Sequence, residues 1–251
     1  MKLTIVGCSG SYPGPDSSAS CYLVEAHDGE RPWRILLDLG NGSLGSLQRH
    51  LDPLVVDAVF LSHLHPDHCM DLCGFYVLRK YHPRGVGPCI PVFGPAGAAD
   101  RLARGYDLPL EPGMTKEFCF TDFGPEAIQI GPFEVRATRV AHPVAAFALT
   151  VSAMGKTLTY SGDTAACDAL VEAAADADLF LCEASFLDGQ ANPPGIHLTG
   201  SEAGDAATRA GAKRLLITHV PPWHDREEVL AQARTTYAGA ELADPGATYS
   251  L

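Results

Sequence analysis

Three imidazoles and one carboxylate fall within the six residues His63-Leu64-His65-Pro66-Asp67-His68, directly after the apolar run Ala58-Val59-Phe60-Leu61. Histidine is the commonest metal-ligating side chain, and a carboxylate oxygen is the usual companion for divalent first-row ions. His63 and His65 alternate, so in an extended segment both point the same way. Pro66 takes the chain out of strand geometry, and Asp67 and His68 follow it. The arrangement aims two ligands at one ion and two at a neighbour. A chain built this way must bring a buried strand to an end at a cleft.

Four other strand-like runs end on residues of the same chemistry. Phe133–Val140 runs into Ala141-His142, and Thr157–Tyr160 into Ser161-Gly162-Asp163-Thr164. Leu179–Cys182 stops at Glu183, and Arg214–Ile217 at Thr218-His219. In α/β sheets, ligands collect at the carboxyl ends of strands. Asp38 closes a further strand (Trp33–Leu39), where it either caps the turn or orients a metal-bound ligand. His27, His50, His82 and His224 lack this context; among them His82 and His224 are candidates only for substrate contact.

The rest of the chain alternates strand and helix signals. Leu3–Cys8, Cys21–Ala26, Asp57–Leu61, Ile90–Phe93, Glu117–Thr121, Ala127–Ile130 and the hairpin Phe147–Ser152/Thr157–Tyr160 read as strands. Ser43–Leu51, Met70–Tyr81, Ala96–Arg104 and Ala165–Ala175 read as helices. Thr199-Gly200-Ser201-Glu202 is a capping box opening another, and Asp225 caps the last. Pro83–Gly97 is rich in proline and glycine without marking a domain boundary. The order predicts a layered α/β sandwich in one domain over residues 1–251.

No apolar run reaches the length of a membrane helix, and Leu3–Val6 is too short for a signal peptide, so a cytoplasmic location is expected. That setting favours free thiols for the eight cysteines. Cys69 and Cys73, spaced for a helix, read as packing residues. A net charge of −12 argues against a partner held through many phosphates, though not against a small anion drawn to bound cations.

From the Leu3–Gly10 strand and turn through His63-Leu64-His65-Pro66-Asp67-His68, His142, Ser161-Gly162-Asp163-Thr164 and His219, the chain resembles the metallo-β-lactamase superfamily. The resemblance implies a four-layer αββα sandwich with two metal ions between the sheets. His63, His65 and His142 would hold the first ion; Asp67, His68 and His219 the second; Asp163 would bridge them. An aspartate at the bridging position, where the antibiotic-degrading branch typically has cysteine, is similar to the branches that hydrolyse phosphodiesters and related esters.

Cys182-Glu183-Ala184-Ser185-Phe186 followed by His197-Leu198-Thr199 is similar to the phosphodiesterase branch that includes the tRNA 3′-end endonuclease. By that resemblance Glu183 orients His197 as general acid, and Asp67 joins them in the catalytic set. The tRNA enzyme carries a long basic arm between its third histidine motif and the bridging aspartate. Here only 20 residues lie between His142 and Asp163. Gly7-Cys8-Ser9-Gly10-Ser11, Arg79-Lys80-Tyr81-His82-Pro83 and His219-Val220-Pro221-Pro222-Trp223 resemble small proteins described as atypical class II cyclic-AMP phosphodiesterases.

The expected function is therefore hydrolysis of a small cyclic nucleotide, like 3′,5′-cyclic AMP, by a hydroxide shared between two divalent ions, with His197 protonating the leaving oxygen. Zinc is the first expectation, with manganese or iron compatible with the same ligands. Ser9, Ser11, His82 and Trp223 are the candidate substrate contacts, Trp223 either stacking on a purine or packing inside. An RNA-processing endonuclease of the tRNA 3′-end type, or a lactonase- or arylsulfatase-like hydrolase, is the alternative. The expected partner is a small anionic phosphodiester, not nucleic acid or membrane; a homodimer is compatible with the sequence.

Overall fold

Runs such as Leu179-Phe180-Leu181-Cys182 are apolar at every position, the signature of a strand covered on both faces. The computed structural model, which describes residues 1–84 and 87–251, shows why. Leu179 and Leu181 point into the space between two sheets, while Phe180 and Cys182 point outward under helices.

The first sheet runs, in spatial order, β15 (Thr248–Ser250), β1 (Lys2–Ser9), β3 (Cys21–His27), β4 (Pro32–Leu37), β5 (Ala58–Phe60), β6 (Ile90–Gly94) and β7 (Phe118–Asp122), with β2 (Ser18–Ala19) beside β1. From β4 to β7 its strands are parallel. The second runs β14 (Glu241–Leu242), β13 (Leu215–Thr218), β12 (Leu179–Glu183), β11 (Lys156–Tyr160), β10 (Phe147–Ala153), β9 (Phe133–Arg139) and β8 (Ile128–Ile130), parallel from β11 to β14.

Between the sheets Leu3, Ile5, Tyr22, Ile35 and Phe60 meet Phe133, Leu149, Leu158, Tyr160 and Leu216. Outside the first sheet lie α1 (Ser43–Leu47), α2 (Pro66–Cys69), α3 (Asp71–Tyr81) and α4 (Ala98–Gly105), packing Leu72, Phe75 and Leu102 on Val59 and Leu61. Outside the second lie α5 (Asp168–Ala173), α6 (Gly200–Ala210) and α7 (Arg226–Thr236). The expected αββα layering is thus present. The capping box forms as read, Thr199 and Glu202 bonding reciprocally. A methyl group on Gly200 would stand 2.3 Å from the Val229 carbonyl, so the small-residue face of α6 is what lets α7 lie against it.

Pro66 does take the chain out of extended geometry, opening the single helical turn α2 because its ring fits the first helical position, where no amide hydrogen is needed. Other expectations need correction. The helix read over Ala165–Ala175 shortens to Asp168–Ala173 because Ala165 pairs with Ala141. β2, β14, β15 and the turn Pro53–Val55 are too short to show a period. The proline- and glycine-rich stretch contains β6; residues 85 and 86 within it lie outside the described residues. Not all thiols are free: Cys89 and Cys119 form a disulfide, Cα atoms 5.7 Å apart, because parallel β6 and β7 start side by side. Their sequence separation of 30 concealed this. No helix among the described residues is long and apolar enough to cross a membrane.

Candidate metal centre

Beyond β5 the chain stays extended to His65, then turns into α2, which places Asp67 and His68 side by side in one helical turn. Backbone contacts clamp this loop. Leu39 N–H donates to the His68 carbonyl at 2.8 Å, and Gly40 lies so close beneath Asp67 that a Cβ would stand 1.9 Å from its carbonyl oxygen. His219 follows β13 in the left-handed conformation (φ 55°), with Gly10 packed on its carbonyl.

Two ligand sets result, His63/His65/His142/Asp163 and Asp67/His68/Asp163/His219, the donor atoms of each lying within 4.8 Å of one another. Asp163 belongs to both. Its Oδ2 faces His63 Nε2 at 3.5 Å, and its Oδ1 faces His68 Nε2 at 3.2 Å and His219 Nε2 at 3.5 Å. His65 Nδ1 lies 3.1 Å from His63 Nε2 and 3.4 Å from His142 Nε2.

Three of these imidazoles have the opposite nitrogen occupied. His68 Nδ1–H donates to Asp38 at 2.7 Å, and His142 Nδ1–H donates to the Ile196 carbonyl at 2.8 Å. Ser185 Oγ–H donates to the His219 carbonyl, so Oγ accepts from His219 Nδ1–H, each at 2.8 Å. Their Nε2 lone pairs therefore all point inward. His68 and His219 bring theirs to 3.1 Å, flanked by Asp67 Oδ2 at 3.3 and 3.2 Å. Among the described residues, buried Asp163 Oδ1 has no hydrogen-bond donor. Converging Nε2 and carboxylate lone pairs, with only the Ser11 N–H directed at His219 Nε2 from 3.4 Å, suit a cation, and nitrogen and carboxylate donors in these numbers fit two divalent ions.

The electrostatics agree. Burial, then neighbouring imidazoles, hold His63 and His65 below the usual histidine range, and burial does the same for His142, keeping all three neutral as ligation requires. Burial alone would lower His68 as well, but Asp163, Asp38 and Asp67 outweigh it and drive its pKa well up. Asp163, despite burial, is pulled well down by His219, His68 and His63. Without a cation, only a proton on His68 balances the carboxylates crowded around it.

Beside the second set stands another pair. Glu183, fully buried at the end of β12, accepts from Thr164 N–H (2.8 Å) and Ser185 N–H (3.2 Å), and its Oε1 also accepts from His197 Nδ1–H at 2.8 Å. Burial pushes His197 down, but the Glu183 carboxylate more than reverses this and raises it to about 9. His197 stacks near both His142 and His219, ring centres 5.5 Å away. The arrangement is an imidazole held by a buried carboxylate at the edge of the two ligand sets.

Comparison with known proteins agrees with this geometry. Residues 33–220 match the model of the β-lactamase superfamily domain. The chain belongs to that superfamily. An uncharacterised protein of Mycobacterium leprae is 43% identical over 247 residues, covering 95% of this chain and 84% of that one. Ribonuclease Z of Myxococcus xanthus is 30% identical over 310 aligned positions, covering 100% and 98%. The crystal structure of the metallo-β-lactamase fold protein YhfI from Bacillus subtilis superposes with a TM-score of 0.86 at 26% identity, covering 99% and 98%. The chain is a metal-dependent hydrolase of this superfamily.

Within the superfamily site, Asp38 is an orienter of His68 and not merely a turn cap. Its two oxygens also accept from Ser62 N–H and Oγ–H at 2.7 Å and from Tyr160 O–H at 2.9 Å. Ser11 directs its N–H toward His219 Nε2 (3.4 Å), whereas Ser9 is buried and spends its hydroxyl on the Tyr12 carbonyl. His82 does not join the site. α3 carries it ~15 Å from the ligand loop, at 1.5 Å per residue, and its ring accepts from Arg84 N–H. Trp223 is 59% exposed and packs against Tyr12, ring centres 5.4 Å apart, so the interior role is excluded. Reading the sequence missed the parts played by Tyr160, Ser62 and Ser185. Ser62 and Tyr160 bond Asp38 and Ser185 bonds His219, partners distant in sequence that no spacing signals.

Proposed function

We propose that the protein is a dinuclear metal-dependent phosphodiesterase acting on a small cyclic nucleotide of the 3′,5′-cyclic AMP type. The observation that carries this reading is the Glu183–His197 pair, 2.8 Å apart, at the rim of the two ligand sets. An alkoxide leaves a phosphodiester poorly unless it receives a proton, and a positioned acid supplies it. His63, His65, His142 and Asp163 would hold one ion; Asp67, His68, Asp163 and His219 the other. When bound, divalent cations supply Lewis acidity and a water of lowered pKa. Zinc suits the mixed nitrogen and carboxylate donors, and manganese or iron is compatible with them.

The chain's own residues do the rest. His197 Nε2–H, the nitrogen not held by Glu183, donates to the departing 3′-oxygen. Glu183, held by Thr164 and Ser185, keeps Nδ1 protonated so that Nε2 is the nitrogen that gives up its proton. Asp38 and Ser185 fix the tautomers of His68 and His219, so the cleft is preorganised before substrate arrives.

A second reading, RNA 3′-end processing, is favoured by the likeness to ribonuclease Z. Against it stand the net charge of −12 and the single hairpin β10–β11 between His142 and Asp163. The discriminating experiment measures metal content and then turnover of 3′,5′-cyclic AMP, 2′,3′-cyclic AMP, bis-p-nitrophenyl phosphate and a precursor tRNA. Turnover of the cyclic nucleotides is expected. No turnover of any diester by metal-loaded protein would sink the proposal, and cleavage of the precursor tRNA alone would replace it with the second reading.

A further inference from the structure

A cavity of about 370 Å³ opens beside His65, the most solvent-facing end of the first ligand set. Its walls are apolar: Leu64 from the histidine loop, Pro95 from the turn after β6, and Val144 and Ala145 from the turn after His142. One charged group lines it, Arg101 of α4. The volume falls within the range of about 300–1,000 Å³ found for small-molecule sites, and apolar walls with few polar groups are their usual lining.

Arg101 makes no ion pair among the described residues; Asp100, the acid of its own helix, faces Arg104 instead at 3.6 Å. Its Nε–H donates to the Leu64 carbonyl at 3.4 Å, which swings the guanidinium over the histidine loop and leaves its terminal N–H groups without an acceptor among the described residues. A half-buried cation with unused donors at the mouth of an apolar slot awaits an acceptor on a flat, apolar body.

We propose that this cavity is the base subsite of the enzyme and that Arg101 selects purines there by donating to N7. The proposal rests on the phosphodiesterase reading. A nucleotide whose phosphate lies at the ligand sets can extend its base past His65 between Leu64 and Val144. Adenine and guanine both present the N7 acceptor on the edge away from the sugar, whereas cytosine turns an amino donor to that edge, which offers a guanidinium no acceptor.

The test compares kcat/KM of metal-loaded wild type, Arg101→Ala and Arg101→Gln on cyclic AMP, cyclic GMP, cyclic CMP and methyl p-nitrophenyl phosphate, which has no base. Arg101→Ala should lose about tenfold or more on both purine nucleotides, mainly through KM, a loss typical of a charged donor to a neutral acceptor. Cyclic CMP and the baseless diester should be unaffected. Arg101→Gln, which keeps a donor, should recover part of the purine rate. Equal losses on all four substrates, or none on the purines, overturn the subsite. Wild type inactive on all four overturns the phosphodiesterase reading as well.

Discussion

Replacing Glu183 with Gln removes one charge and little volume, and its effect can be worked from the structure. Burial by itself lowers the His197 pKa; the Glu183 carboxylate at 2.8 Å, with a smaller contribution from Asp163, lifts it to about 9. Without the Glu183 charge the value falls toward the ordinary 6.5, a loss of up to about 3 kcal/mol of stabilisation of the imidazolium at about 1.36 kcal/mol per pKa unit. The proton donor is the charged form, so activity on a substrate with a poor leaving group falls as pH rises through the His197 pKa. The assay is kcat/KM for cyclic AMP between pH 6 and 10. The alkaline limb of Glu183→Gln should lie about two pH units below that of wild type, given the lost interaction. Charges common to both proteins cancel in this difference. Stability gives an independent reading on metal-free protein. A raised histidine pKa contributes stability in full below about pH 6.5 and loses it as pH rises through about 9. Wild type should therefore lose that increment across the window, and the variant should not. The glutamine amide would also oppose Ser185 N–H, costing about 1–3 kcal/mol at every pH, so the pH dependence and not the mean is diagnostic. Identical alkaline limbs in the two proteins would refute the argument.

Other perturbations test other parts of the site. His197→Ala should slow 3′,5′-cyclic AMP hydrolysis about 10²- to 10⁴-fold yet spare p-nitrophenolate esters, whose leaving group needs no proton; equal losses in steady-state kinetics would remove it as the acid. Asp38→Asn frees the Nδ1 side of His68 and should weaken metal retention about 10- to 100-fold, read by competition with a chromophoric chelator; unchanged affinity would make Asp38 a turn residue only. Gly40→Ala drives a methyl group into the Asp67 carbonyl and should cost about 1–3 kcal/mol in denaturant unfolding; a neutral result would show that the ligand loop yields. Removing metal with a chelator should lower the melting temperature, and returning ions should restore it; a metal-insensitive melt would count against bound cations linking the sheets.

Sequence and structure agree best where chemistry is local. Strands covered on both faces announce themselves as apolar runs, so β5, β12 and β13 and the ligands at their ends were legible. So was the capping box of α6. The pairing of β15 with β1 was not, because Thr248 and Thr4 meet only through the folded sheet. The same holds for the Cys89–Cys119 bridge and for Tyr160, whose hydroxyl reaches Asp38 from the opposite sheet. Asp163 showed itself as a strand-end carboxylate, but that it faces both ligand sets is a property of two sheets meeting. Trp223 illustrates the opposite error: a large aromatic in a proline-rich turn reads as leaning to the interior, and its ring is 59% exposed.

The bond from His142 to the Ile196 carbonyl has a consequence beyond fixing a tautomer. The next residue is His197, so one peptide segment sets both a ligand of the first ion and the proton donor. Occupancy of that ion site and proton affinity of His197 are then linked equilibria, and linkage is reciprocal. Whatever factor the cation applies to the proton, the proton applies to the cation.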